Sequence, residues 1–155
     1  MNKNDKIFRK RLFILARKLR TGVPRKRFRM KKFFIGNFFG RPDEARHTEC
    51  SSCACAVGWA CTIPSFQRDG LEVDTYGVSS GWISQIPIYQ GERAIAASVA
   101  FFGLHNDREF EYLFGPHWPN SPVQAAQRIE RFLKDRSVVT SPGTKWPAPK
   151  SFQAG

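Results

Sequence analysis

Phe8, Leu12, Leu15 and Leu19 recur at steps of four, three and four. That spacing lines one face of an α-helix and does not fit the two-residue period of a strand. Asn4 is the expected N-cap and Gly22 the stop, with Val23-Pro24 breaking the helix beyond it. Among and just after these apolar positions stand Arg9, Lys10, Arg11, Arg17, Lys18 and Arg20. The chain therefore opens with a basic amphipathic helix whose apolar stripe must be covered.

The basic character does not extend through the chain. Residues 1 to 46 hold 16 Lys/Arg against Asp5, Asp43 and Glu44, which is +13; residues 47 to 155 hold 9 Lys/Arg against 10 Asp/Glu, which is −1. A field so one-sided draws polyanions: nucleic acid, an anionic membrane surface or an acidic protein face. The cations expected to carry such an interaction are Arg17, Lys18, Arg20, Arg25, Lys26, Arg27, Lys31 and Lys32. The later members interleave with Phe28, Met30, Phe33 and Phe34. Cations can hold phosphates while aromatic rings stack on unpaired bases.

At 155 residues with 41% hydrophobic content, the chain can bury a core of its own. The expected class is mainly α: one small domain of about five helices, with a short β-hairpin in the middle and a disordered C-terminal tail. Its organisation reads as an arm over 1–46 packed on the domain, a helical core over 47–136, and a flexible tail over 137–155. No run reaches the roughly 18 apolar residues of a membrane span. The apolar stretch Leu12 to Ala16 ends at Arg17, too short for a secretory signal. A cytoplasmic location in a bacterial host is the corresponding expectation.

Small apolar residues from Ser51 to Pro64 predict a tightly packed helix of about three turns. Between 65 and 91 short β-favouring stretches occur, and Pro87 makes the second of them an edge strand at best. Helices are expected over 92–102, 107–114 and 122–135. Asn106 with Glu109 and Ser121 with Gln124 form capping boxes for the last two, and Pro122 stands at a first helical position. In the final helix Val123, Ala126, Ile129, Phe132 and Leu133 are expected inside, and Arg128, Glu130, Arg131 and Lys134 in water.

Cysteines cluster in the stretch His47 to Cys61, and three chemistries fit them. Cys50 and Cys53 have the gap of a zinc knuckle, which Cys55, Cys61 or His47 could complete. A thiol at a helix N-terminus, Cys50 or Cys53, could instead be an activated nucleophile, with His105 and His117 as conceivable bases. Cys50-Ser-Ser-Cys53 is superficially similar to the Cys-Gly-Ser-Cys of papain-like proteases, but no Trp follows Cys53. The third chemistry is packing, in which Cys acts as a small hydrophobe; it fits Cys55 and Cys61 best. There is no phosphate loop, dinucleotide fingerprint or nucleophile elbow.

The run Cys50-Ser-Ser-Cys-Ala-Cys55-Ala-Val-Gly58-Trp59-Ala60, followed by Ile63-Pro64-Ser-Phe66 and Gly70-Leu71, resembles a pattern of small uncharacterised bacteriophage and bacterial proteins. That pattern is Cys-Gly-Thr, two residues, Cys, Ala, one residue, Gly, Trp or His, Ala. Phe28-Arg29-Met30 upstream, and Phe101 to Leu104, Leu113-Phe114 and the closing helix downstream, extend the resemblance over roughly residues 12 to 134. It implies that Cys50 and Cys55 match the family's two cysteines, while Cys53 and Cys61 are additions of this chain. Ser51 and Ser52 stand where the family has Gly and Thr. A helical fold and a phage or mobile-element source follow from the resemblance, but no mechanism; separately, no cofactor is expected, with zinc at the cysteine cluster as the lesser alternative. The expected role is a non-enzymatic accessory protein for nucleic acid or a nucleoprotein complex, with a cysteine-dependent enzyme or zinc module centred on Cys50 as the alternative.

Overall fold

The structure, a computed structural model, describes residues 2–28, 34–37, 52–53, 55–79, 82–115 and 121–146. The first helix, α1, spans Lys3–Thr21. Its N-cap is Asn2, whose side chain accepts a hydrogen bond from the Asp5 N–H at 2.8 Å, so the helix starts before the expected Asn4. Gly22 ends it, its N–H bonding the Lys18 carbonyl at 2.7 Å. Leu12, Leu15, Ala16 and Leu19 are buried, as the apolar spacing requires. Pro24 then opens a 3-10 turn over Arg25–Arg27.

A five-stranded antiparallel sheet occupies the middle of the chain, larger than the hairpin expected there. It is built from β1 (Phe34–Asn37), β2 (Ser52–Cys53), β3 (Glu72–Ser79), β4 (Trp82–Tyr89) and β5 (Glu92–Arg93). The order is β2-β1-β4-β3, with β5 also paired to β4. Pro87 therefore lies in a central strand, contrary to expectation. On one side it faces Val73 of β3. On the other, β1 pairs β4 over 82–85 and β5 pairs it over 88–89. The Pro87 carbonyl accepts the Ala94 N–H at 2.9 Å on that second side. Its missing N–H thus falls in the gap where one partner strand ends and the next begins, where no ladder bond is lost.

Between β2 and β3 lie two short helices, α2 (Ala56–Ala60) and α3 (Pro64–Arg68). The three-turn helix expected from Ser51 is not formed. Ser52 and Cys53 pair with β1, Cys55 becomes the N-cap, and Pro64 starts α3 at its first position. Gln90 and Gly91, both at positive φ, make a two-residue turn from β4 into β5. Helix α4 consequently begins at Ile95 instead of Glu92 and runs to Phe102. The next helix, α5, spans Asp107–Phe114 and α6 spans Pro122–Lys134, both opened by the expected caps, Asn106 and Ser121.

Helices α1, α4, α5 and α6 with α2 and α3 close one core, and the fold is mainly α. A chain of tilted and edge-on rings runs through it: Tyr89 to Phe101 at 5.1 Å, Phe101 to Phe102 at 5.0 Å, Phe102 to Phe114 at 5.5 Å. Such edge-on contacts add to the area these rings bury. Residues 137–146, expected to belong to a flexible tail, fold back on the helices. Val139 is buried, and the Trp146 ring stands 5.8 Å from that of Tyr112. Residues 147–155 lie outside the described residues. In α6 two further expectations fail: Val123 is 41% exposed, and Arg128 is only 4% exposed. Tyr112 of α5 and the returning segment cover a flank of α6 that a simple amphipathic stripe leaves to water.

Candidate polyanion-binding face

Each residue of an α-helix is rotated by about 100° from the one before it, so the buried stripe of α1 dictates what lies opposite. Lys3, Lys6, Lys10 and Arg17 fall on that outer side, and all four are exposed. None of them has an ion-pair partner among the described residues. Phe13 sits in the same strip at 57% exposure, with Ile7 at 38% beside it. Lys3, Lys6, Lys10 and the exposed Phe13 were not among the expected residues. The helical spacing of the stripe was the signal that could have found them.

The expected cations divide into groups. Arg17 is exposed, and Lys18 is half-buried with its aliphatic stem along Gly22. Arg20 is spent on a bidentate pair with Glu130 of α6, with Nη2 2.8 Å from Oε2. That hydrogen bond raises the Arg20 guanidinium and lowers the Glu130 carboxyl. Arg20 is therefore a rivet between helices, and its charge is already answered.

Arg25 and Lys26 are exposed on the 3-10 turn, while Arg27 is half-buried. The Trp59 indole N–H donates to the Arg27 carbonyl at 3.0 Å, which docks the turn on α2. The cations following α1 thus project from a fixed turn. Lys31 and Lys32 lie outside the described residues.

The apolar stripe of α1 faces the core, so it is not available for insertion into a lipid interface. No helix among the described residues is long and apolar enough to cross a membrane.

Of the cysteine cluster, His47 and Cys50 lie outside the described residues, and of Cys53 only the backbone is described. Cys55 stands at the N-cap of α2 and is 3% exposed; Cys61 is 7% exposed. Burial pushes the Cys55 thiol up to about 11, although the N–H groups of Gly58, Val57 and Cys55 itself pull the other way. Burial, with the Cys55 charge adding to it, pushes Cys61 up to about 12. Desolvation outweighs the helix terminus, so these two sulfurs are thiols at neutral pH and pack as small hydrophobes. Among the described residues no three His, Cys, Asp or Glu side chains gather in a metal-binding group.

Glu109, expected as the capping-box partner of Asn106, is buried at 6% exposure and gripped by Arg136 through two 2.7 Å hydrogen bonds. Arg136 also donates to the Gly103 carbonyl at 2.8 Å. This constellation is structural: it ties the start of the C-terminal segment to the turn between α4 and α5.

No family model matches the chain, and neither a curated protein nor a solved structure matches it significantly.

Proposed function

We propose that this protein binds nucleic acid through the outer face of α1, continued by Arg25 and Lys26 on the following turn. The observation that carries the reading is the strip Lys3, Lys6, Lys10 and Arg17, four exposed cations opposite the buried stripe with no ion-pair partner among the described residues. Phosphate contacts need density of cations on a rigid support and little else. Phe13, exposed among them, offers a ring on which an unpaired base can stack, which favours single-stranded segments. The role is non-enzymatic. The resemblance of the sequence to small phage and bacterial proteins supports placing it as an accessory protein of a phage or mobile element.

The test is an equilibrium titration of labelled single-stranded and duplex oligonucleotides over a range of salt. Affinity is expected to fall with log salt at a slope of about −0.7 to −0.9 per phosphate contacted. Absence of binding at low salt rules the reading out.

A further inference from the structure

A second cationic site lies on the other side of α6. Arg128 and Glu130 are two residues apart, roughly 200° around the helix, so they leave it on opposite flanks. Glu130 meets α1 through Arg20. Arg128 and Arg131 instead line a cavity of about 330 Å³ whose other walls are Tyr112 of α5 and Val138, Thr144 and Lys145 of the returning C-terminal segment. Among the described residues that line it there is no Asp or Glu.

Three cations thus converge on one cavity from two separate stretches of chain. Arg128 is 4% exposed, so its charge is largely removed from water. Burial pulls its guanidinium down to about 10, Tyr112 acting against that and the neighbouring Arg131 with it. It therefore stays cationic at neutral pH, beside a second like charge. Tyr112 adds no negative charge: burial pushes its phenol up, and this outweighs the charges of Arg131 and Arg128 and the Arg131 hydrogen bond, which pull it the other way. The buried Arg128 and the exposed Arg131 repel each other across the cavity wall, and an anion between them reverses the sign of that interaction. Guanidinium forks match the oxygens of phosphate in bidentate geometry, and Lys145 at the exposed rim supplies a movable third charge.

We propose that the cavity between α6 and the C-terminal segment is a phosphate-binding site, with Arg128 at its floor and Arg131 and Lys145 as its jaws. The cavity is larger than a bare phosphate requires, and Val138 gives it an apolar wall. A small phosphomonoester fills it: the phosphate on the three cations, the organic part toward Val138. The site is independent of the α1 face, since α1 lies on the opposite flank of α6.

Isothermal titration calorimetry at constant ionic strength tests this, using inorganic phosphate and glucose 6-phosphate as separate probes and chloride as the balancing anion. Saturable binding is expected, weakened roughly tenfold by Lys145→Gln and by Arg131→Gln singly, and lost in the double variant. Lys145 is exposed, so its variant keeps the fold whatever becomes of the site. Tighter binding of the sugar phosphate identifies an ester ligand, equal binding identifies free phosphate, and either upholds the site. Lys10→Glu on α1 is expected to leave both titrations unchanged. The proposal is overturned if neither probe saturates, if the double variant still binds, or if Lys10→Glu abolishes the signal. None of these outcomes depends on whether α1 binds nucleic acid.

Discussion

Arg136 holds both carboxylate oxygens of Glu109, at 2.7 Å each, and so fastens the segment after α6 to the first turn of α5. Burial by itself pushes the Glu109 carboxyl up. The Arg136 hydrogen bonds, the His105 N–H and the charges of Arg136 and His105 outweigh it and hold the group below its usual range. A carboxyl depressed in the folded state stabilises the fold above its unfolded pKa, about 4.3 for Glu, and that contribution fades as pH falls toward the folded value. Urea unfolding is therefore expected to show less stability at pH 4 than at pH 7. Glu109→Gln is expected to cost about 2 kcal/mol at neutral pH and to flatten that part of the profile. An unchanged acid slope in Glu109→Gln refutes the assignment.

Phe8 of α1 lies against Gly103, the residue that ends α4 at φ +63°. A Cβ placed there would come within 2.1 Å of the Phe8 ring. Gly103→Ala meets both a backbone penalty and a clash with a core-facing ring, and a loss of about 2 to 4 kcal/mol is expected. Shortening Phe8 to Leu should recover part of the loss in the double variant, which chemical denaturation can measure. Additive losses in the two single variants would contradict the close approach.

Ala94 adopts φ 56°, ψ −123°, a conformation that glycine takes without strain, where the chain leaves β5 for α4. Ala94→Gly is expected to raise stability by roughly 0.5 to 1 kcal/mol, an uncommon sign for such a change. Thermal unfolding of the single variant decides it.

The division of cations into free and spent makes a graded prediction for nucleic-acid binding. Lys6→Glu, Lys10→Glu and Arg17→Glu together are expected to weaken binding by at least about tenfold and to reduce the salt slope. Arg20→Ala removes a charge already held by Glu130 and should change affinity less than any one of them, while lowering stability slightly. Equal effects at Arg17 and Arg20 would show that geometry does not govern the contact.

Cys55 and Cys61, with thiols raised to about 11 and about 12, are expected to resist alkylation in the native state at pH 8 and to react once the chain unfolds. Peptide-level mass spectrometry after iodoacetamide pulses separates them from Cys50 and Cys53. Native-state labelling of Cys55 at the rate of an exposed thiol would overturn its placement in the core.

Much of the fold was legible wherever a local signal and the global packing agree. The stripe Phe8, Leu12, Leu15 and Leu19 announced α1, and the caps Asn106 and Ser121 announced α5 and α6 at their observed starts. The misreadings share a cause. Ser51 to Ala60 looks helical because its residues are small and apolar, yet strand pairing of Ser52 and Cys53 with β1 shortens the helix. Pro87 looked like an edge because its ring removes a donor, and only the relay from β1 to β5 makes its central position harmless. As for the α1 face, its sign was evident in composition, but its exposed outer cations, Lys3, Lys6 and Lys10, emerge only when the buried stripe is used to find the opposite side.

The sequence by itself determined a mainly helical chain with a basic amphipathic first helix, because a periodicity and a charge count need no knowledge of neighbours. Tertiary structure alone decided what each charge is for. Whether an arginine faces water, a carboxylate or a cavity depends on which distant segment returns beside it. That is how Arg17 came to be exposed, Arg20 to rivet α1 to α6, Arg136 to anchor the C-terminal segment and Arg128 to be buried at the floor of a cationic cavity. Side-chain type sets the capacity for an interaction, and the fold sets the dielectric and the partner.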